Sequence, residues 1–178
     1  MTARKTGLRG AALAMLAAVA VTGALAQETG WHTMTGPNKS FTADMPEAPK
    51  YTEVQMKTGS GSAYAMHQYV VEQGAVAYVV QSAAYPPDVN VSNPQANLQA
   101  GLDTAAKNLD GKKWGAVNWT KHQGFTAVDA TGARQGTEVR AFSVFKARQI
   151  FSLTYAGPPG STTSPDVTRF LTSLKIAP

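Results

Sequence analysis

Four strand-like runs joined by very short connections fill the region from residue 112 to residue 155, and they constrain the fold of this chain most. The runs are residues 112–121, 124–131, 137–146 and 149–155, and each contains the β-branched and aromatic residues typical of strands. Gly124, Gly132 and Gly136 lie at or between them. Parallel strands need a crossover of about a dozen residues or more. The runs therefore predict an antiparallel meander.

Further strand-like runs come earlier in the chain, at residues 31–35, 41–45, 51–57, 63–72 and 75–84. The last of them is apolar at both sets of alternating positions, which predicts a central strand covered on both faces. Residues 59–62, Gly-Ser-Gly-Ser, predict a hairpin turn between two of these runs.

Two segments have the start signals of helices. Asn93 and Ser164 are capping residues, and each is followed by a proline at the first helical position. The first helix carries an apolar stripe and is predicted to end at Gly111 through a left-handed cap. That stripe consists of Leu98, Leu102, Ala105 and Leu109. The second helix carries a stripe of Val167, Phe170, Leu171 and Leu174.

These elements predict the fold class. Short connections favour hairpins, and two amphipathic helices need an apolar surface to cover. The expectation is an α+β domain in which two helices pack on one antiparallel sheet.

The N-terminal residues predict export. Arg4, Lys5 and Arg9 precede an uncharged run over residues 11–24, and the small residues Ala24 and Ala26 mark a cleavage site. That order is typical of a secretory signal peptide. A retained anchor is the alternative, but the run is shorter than the roughly 20 residues of a membrane-spanning helix. We expect residues 1–26 to be removed, a mature chain that starts at Gln27, and a single domain over 27–178 without a transmembrane segment in the periplasm or outside the cell.

Charge and cysteine content exclude several classes of function. The chain has 16 basic and 11 acidic residues. Removal of the signal peptide takes away three basic residues, so the mature chain has a net charge of about +2 and no basic cluster of the kind that binds nucleic acid. The sequence contains no cysteine, which rules out disulfides, thiolate zinc sites, a cysteine nucleophile and a lipid-modified N-terminal cysteine.

The order of short landmarks resembles the PsbP-like domains. The landmarks in this sequence are residues 41–46 (Phe-Thr-Ala-Asp-Met-Pro), Tyr85-Pro86 after an apolar strand, Gly124-Phe125 at a turn, and a C-terminal helix over residues 169–176. The resemblance implies an α/β/α sandwich. It also implies a non-catalytic protein that binds other macromolecules, since the family includes extrinsic photosystem II subunits, a GTPase-binding nuclear import factor and bacterial envelope proteins. It assigns no functional residue here, because the matched positions are core and turn residues.

No catalytic pattern is present in the sequence. Ser60 lies in a turn between two strand-like runs, whereas a nucleophilic serine of the G-x-S-x-G type needs a following helix. His67 and His122 have no metal-ligand spacing, although strands could bring them together with Asp129 or Asp88 as an oxygen donor. We therefore predict no catalytic residue, no cofactor and no metal, with a small metal- or ligand-dependent envelope enzyme as the alternative.

Aromatic and basic side chains are the better functional candidates, because interfaces are enriched in Trp, Tyr and Arg. Trp114 and Trp119 are predicted to lie on one strand and to point to opposite faces, so that either one is buried and the other exposed or both pack under helices. The predicted partner is another envelope protein or complex, and a purely structural role and the oligomeric state are left open. The candidate partner-binding residues are Tyr85, Trp119, Lys121, Arg140 and Arg148.

Overall fold

Ten strands and two helices make up the described part of the chain. The computed structural model describes residues 30–178, so the predicted signal peptide lies outside the described residues. The helices are α1 (Pro94–Ala106) and α2 (Pro165–Thr172). The strands are β1 (His32–Thr35), β2 (Phe41–Met45), β3 (Lys50–Lys57), β4 (Ala63–Gln73), β5 (Val76–Ala84), β6 (Ala116–His122), β7 (Phe125–Arg134), β8 (Thr137–Lys146), β9 (Gln149–Gly157) and β10 (Lys175–Ile176).

Seven strands form a large antiparallel sheet in the order β3-β4-β5-β9-β8-β7-β6. Tight hairpins build most of it, as the sequence predicts. Two of them use the pairs Gln123-Gly124 and Gln135-Gly136, in which both residues have positive φ. That geometry matches the twist of the flanking strands. The pairing of β5 with β9 joins the two halves of the sheet.

A second, three-stranded sheet has the order β1-β2-β10. It lies with α2 on one face of the large sheet, while α1 lies on the other face, where it contacts β7 and β8. The two faces enclose separate cores. The α1 core contains Tyr64, Met66, Ala83, Tyr85, Leu98, Leu102, Val128, Ala130, Phe145 and Ile150. The α2 core contains Met34, Phe41, Ala43, Met45, Val71, Tyr78, Val80, Ala127, Val144, Phe151, Leu153, Tyr155, Val167, Phe170, Leu171, Leu174 and Ile176.

The predicted fold class is wrong. Half of the described residues are in strands and 18% are in helices, with two short 3-10 helices (Pro37–Lys39 and Asp110–Lys112) included, so the domain is mostly β and contains two sheets. It is not one sheet between two helices, because β1, β2 and β10 share the covering of one face with α2. Strand β2 of the small sheet buries every second residue, Phe41, Ala43 and Met45, in the α2 core.

Both helices start where the sequence predicts. The Asn93 side chain accepts a hydrogen bond from the N–H of Ala96, and Ser164 accepts one from Val167. The predicted ends are wrong. α1 stops at Ala106, and Gly111 takes its left-handed conformation in a separate 3-10 turn.

The C-terminal segment also differs from the prediction of a continuous helix over residues 169–176. α2 ends at Thr172, and β10 then pairs with Phe41 and Thr42 of β2. The Gln123 side chain binds both the N–H and the carbonyl of Ile176. These tertiary contacts hold the last residues extended, in place of another helical turn.

Candidate binding surfaces

Strand β6 forms one edge of the large sheet and is exposed along its length. Six of its seven residues are exposed, and His122 is half-buried. One side of β6 pairs with β7, and as the last strand of the sheet it presents the other row of backbone N–H and carbonyl groups for pairing. Such an edge is a template for another strand.

Two large hydrophobic side chains lie on this edge. Of the described residues, only Tyr51, Val117 and Trp119 are exposed large hydrophobics, and the last two are 38% and 37% exposed. They are two positions apart on β6 and therefore point to the same face. It is the same face of the sheet that α1 covers at the inner strands, since Trp119 pairs with Val128, which belongs to the α1 core. Lys121 is the next residue on it.

Val117 is a binding candidate that the sequence prediction missed. Its spacing from Trp119 could have predicted that the two side chains lie on the same face, because residues i and i+2 of a strand share a face. No local pattern marks this strand as an edge, because that position depends on the strand order of the whole sheet. The name "β6 edge patch" is used below for Val117, Trp119 and Lys121.

The two tryptophans differ in exposure, since Trp119 is exposed and Trp114 is half-buried. Trp114 lies before β6 and not on it. Its ring packs between the helix and the sheet, and its indole N–H donates a hydrogen bond of 3.0 Å to the carbonyl of Leu102. Trp114 therefore packs against the α1 core, and Trp119 is the exposed tryptophan.

Tyr85 and Arg148, two further candidates, lie together in a different region. Tyr85 is only 7% exposed and packs between Tyr64 and Phe145, with ring centroids 5.6 and 5.9 Å away. Burial raises the pKa of its phenol. The Arg148 guanidinium donates hydrogen bonds to the carbonyls of Tyr85, Pro86 and Val89. Both side chains thus hold the loop after β5 in place.

Arg140 lies on the opposite face of the sheet from Trp119. Its guanidinium makes two hydrogen bonds to the Asp129 carboxylate, at 3.0 and 2.6 Å, and a third to the carbonyl of Thr162. The bonds to Asp129 raise the pKa of Arg140. Of the five predicted partner-binding residues, the structure brings Trp119 and Lys121 together on one exposed strand and gives both arginines intramolecular partners.

The residues proposed for a metal site do not converge. His67 is on β4 and His122 on β6, with four strands between them in the sheet. His67 is hydrogen bonded to the Tyr51 hydroxyl, and His122 donates to the carbonyl of Leu174. Asp129, the nearer oxygen donor in sequence to His122, is bound by Arg140.

Asp88, the other proposed oxygen donor, is bound by hydroxyl groups. It accepts hydrogen bonds from Ser60 and Thr58, which lower its pKa. Ser60 lies in the hairpin between β3 and β4, as predicted, and has no helix after it. Across residues 30–178 no group of three His, Cys, Asp or Glu side chains is placed to hold a metal ion.

A cleft between α1 and the large sheet is the second candidate surface. It has a volume of about 70 Å³ and is partly open to solvent. Leu98, Gly101 and Leu102 line it from the helix, and Gln81 and Ser143 lie on its floor. The lining is mostly apolar, but the volume is far below the roughly 300–1,000 Å³ of typical small-molecule sites.

Comparisons with known proteins identify the fold. The structure is similar to the solution structure of cyanobacterial PsbP, CyanoP, from a Synechocystis species, with a TM-score of 0.55 over 91% of this chain and 99% of that chain. The sequences are 8% identical. No family model and no curated protein sequence matches the chain. The domain therefore has a PsbP-like fold, which confirms the resemblance inferred from the sequence.

The lengths and hydropathies of the described helices show whether any of them could span a membrane. Neither α1 nor α2, nor any other helix in residues 30–178, is long and apolar enough to cross a membrane.

Proposed function

We propose that this protein is an exported, non-catalytic accessory protein of the bacterial cell envelope that binds another envelope protein. The observation that carries the proposal is the β6 edge patch, where two of the three exposed large hydrophobic side chains of residues 30–178 share one face of an edge strand. The PsbP-like fold supports a binding role by analogy.

Export is proposed from the N-terminal sequence. The basic residues Arg4, Lys5 and Arg9, the uncharged run over residues 11–24 and the small residues before Gln27 match a signal peptide. The test is fractionation with intact-mass measurement. A mature product outside the cytoplasm whose mass corresponds to Gln27 as its first residue is expected, and a full-length product in the cytoplasm would refute export.

The absence of catalysis is proposed from what the candidate groups do. His67 and His122 lie on distant strands, Asp129 is held by Arg140, and Ser60 is in a hairpin turn. A catalytic group needs a base or a metal within hydrogen-bond or coordination distance. Each of these side chains instead has a partner within the domain or lies far from the other groups of the proposed site.

Binding through β6 would use two features of the strand. Its free backbone edge can add a strand of the partner, as in β-augmentation, and this supplies hydrogen bonds without sequence specificity. Val117 and Trp119 would supply buried apolar area, which is where interfaces gain most of their affinity. Lys121 lies on the same face and favours an acidic residue on the partner.

A crosslinked pull-down from the envelope of the host bacterium tests this proposal. The bait proteins are the mature wild type, Trp119→Ala and Tyr51→Ala. Tyr51 is the matched control, because it is an exposed aromatic residue, 52% exposed, on the opposite edge strand β3.

We expect the wild-type bait to capture a partner protein, and added free wild-type protein to reduce that capture in a saturable way. The Trp119→Ala bait should not capture this partner, and the Tyr51→Ala bait should capture it. A typical aromatic anchor contributes about 2 kcal/mol or more when truncated, or roughly thirtyfold in affinity. Equal capture by all three baits would contradict binding through β6, and the lack of any displaceable partner would favour a purely structural protein.

A further inference from the structure

A basic cleft lies where the turn after α1 meets the hairpin between β7 and β8. It is open, and its volume of about 530 Å³ is within the roughly 300–1,000 Å³ of ordinary ligand sites. Lys107, Lys112 and Arg134 line it, together with one acidic residue, Asp110. Three cations and one carboxylate leave the lining with a net charge of +2. The fold therefore gathers in one cleft as much positive charge as the whole mature chain carries in excess.

Asp110 holds the turn against the hairpin. Both oxygens of its carboxylate accept a hydrogen bond from the backbone N–H of Gln135, at 3.1 and 2.9 Å. The turn is also shaped by the left-handed conformations of Gly111 and Lys112, whose φ angles are 64° and 53°. These contacts keep Lys112 in the same cleft as Arg134, the residue before Gln135. The acid of the cleft thus binds backbone and forms no ion pair with the cations around it.

The guanidinium of Arg134 has no partner in the described part of the chain. Residues 30–178 contain four arginines, and the other three, Arg140, Arg148 and Arg169, bind carboxylates or backbone carbonyls of the domain. Arg134 is half-buried, yet it makes none of the ion pairs or side-chain hydrogen bonds of these residues. A guanidinium presents five donors in a fixed fork. Arg134 is therefore free to bind an anion from outside the chain.

The lysines add positive charge around this guanidinium. Lys107 directly follows α1, where the helix dipole favours a cation. The side chain of Lys113 lies over the same turn, since a Cβ at Gly111 would be 3.8 Å from its Cε atom. Neither these two lysines nor Lys112 form an ion pair within residues 30–178. Like charges gathered in one place repel each other, and a bound anion would relieve that repulsion.

The donors set the chemistry of the anion. The fork of Arg134 fits either a carboxylate or a phosphate. A carboxylate has one charge and two oxygens, which Arg134 alone satisfies. A phosphate monoester has about two charges and three acceptor oxygens, so it also uses Lys107 and Lys112. No aromatic side chain of residues 30–178 lines the cleft, and stacking on the bases of single-stranded nucleic acid needs one.

We propose that the cleft between the turn after α1 and the β7–β8 hairpin binds a phosphate monoester dianion. Arg134 is the bidentate donor, and Lys107 and Lys112 neutralise the remaining charge. A soluble phosphate compound and the head group of a lipid present the same oxygens to these residues. The site is independent of the proposed partner binding, because no residue of the β6 edge patch lines it.

The test is NMR titration of the mature protein with inorganic phosphate at constant ionic strength, and with acetate for comparison. Arg134→Gln and Lys112→Gln each remove one cation from the cleft. Glutamine suits the positive φ of Lys112, since Gln123 and Gln135 have positive φ in this chain. Lys57→Gln is the matched control, because it removes the same charge from an exposed lysine on β3, at the far edge of the sheet.

We expect saturable phosphate shifts at residues 107–112 and 134–135 in the wild type, in Lys57→Gln and in Trp119→Ala, with weaker binding of acetate. Arg134→Gln should lower the phosphate affinity by roughly tenfold or more, because it removes hydrogen bonds between charged groups. Lys112→Gln, at an exposed position, should lower it by roughly two- to fivefold. Shifts that do not saturate, equal affinity for acetate, or the same affinity in both cleft variants as in Lys57→Gln would overturn the proposal.

Cosedimentation with lipid vesicles identifies the source of the phosphate group. Vesicles of phosphatidylcholine alone are compared with vesicles that also contain phosphatidic acid. Binding that needs phosphatidic acid and is lost in Arg134→Gln would assign the site to a lipid head group. Saturable phosphate shifts without vesicle binding would assign it to a soluble phosphate compound. The absence of both would overturn the site, whatever the pull-down shows for β6.

Discussion

Replacement of Phe170 by alanine should show how strongly α2 holds the two sheets together. Phe170 is 0% exposed and contacts the Tyr78 ring edge-on, with ring centroids 5.2 Å apart. Loss of a buried phenylalanine costs about 3–5 kcal/mol through lost transfer energy and the cavity left behind. For a domain of this size, 1 kcal/mol corresponds to about 2–4 °C, so we expect the melting temperature to fall by about 6–20 °C.

Thr172→Ala is the matched control on the same helix. Thr172 is exposed, and its hydroxyl only donates to the nearby carbonyls of Thr168 and Arg169. Exposed substitutions of this kind usually change stability by less than about 0.5 kcal/mol. Thermal unfolding followed by circular dichroism compares the two variants. Small and equal effects would refute the docking of α2 on the large sheet.

Two further predictions concern close packing and pH. Gly36→Ala should destabilise the domain by about 1–3 kcal/mol, because its Cβ would overlap the buried Phe41 ring. Gly30→Ala, where the added Cβ meets nothing within 4 Å, should have little effect in the same denaturant titration, and equal midpoints would contradict this packing. Burial raises the pKa of Tyr78 to about 12, above the ordinary value of about 10. The folded state therefore favours the neutral phenol, and its stabilisation is complete below about pH 10 and is lost as the pH rises towards 12. Denaturant midpoints should fall across that window and fall less in Tyr78→Phe, whereas the same slope in both proteins would contradict the assignment.

The sequence predicted the large sheet well because its hairpins are encoded locally. Gly124 and Gly136 each provide one of the two positive φ angles of a tight turn, and the strands on either side then have to be antiparallel neighbours. The second sheet is not encoded in this way. Strand β2 pairs with β10, which is only two residues long. Strand β10 follows α2 and lies more than 120 residues away from β2 in the sequence. No local pattern specifies such a pairing.

The candidate site could be predicted only in part for a similar reason. Residue type marks Trp119 and Arg140 equally as interface candidates. What separates them is whether the folded chain supplies a partner, and Asp129 does so for Arg140 from the neighbouring strand. The position of β6 at the sheet edge, which exposes Trp119, depends on the strand order of the whole sheet.

Residue-specific photocrosslinking in the living host tests the central claim most directly. A benzophenone amino acid replaces Trp119 on β6 in one strain and Tyr51 on β3 in another, and both positions are exposed aromatics on opposite edges of the same sheet. Binding of an envelope protein through β6 predicts a discrete light-dependent adduct from position 119 and none from position 51. Adducts of the same protein from both positions, or an adduct from position 51 alone, would contradict it.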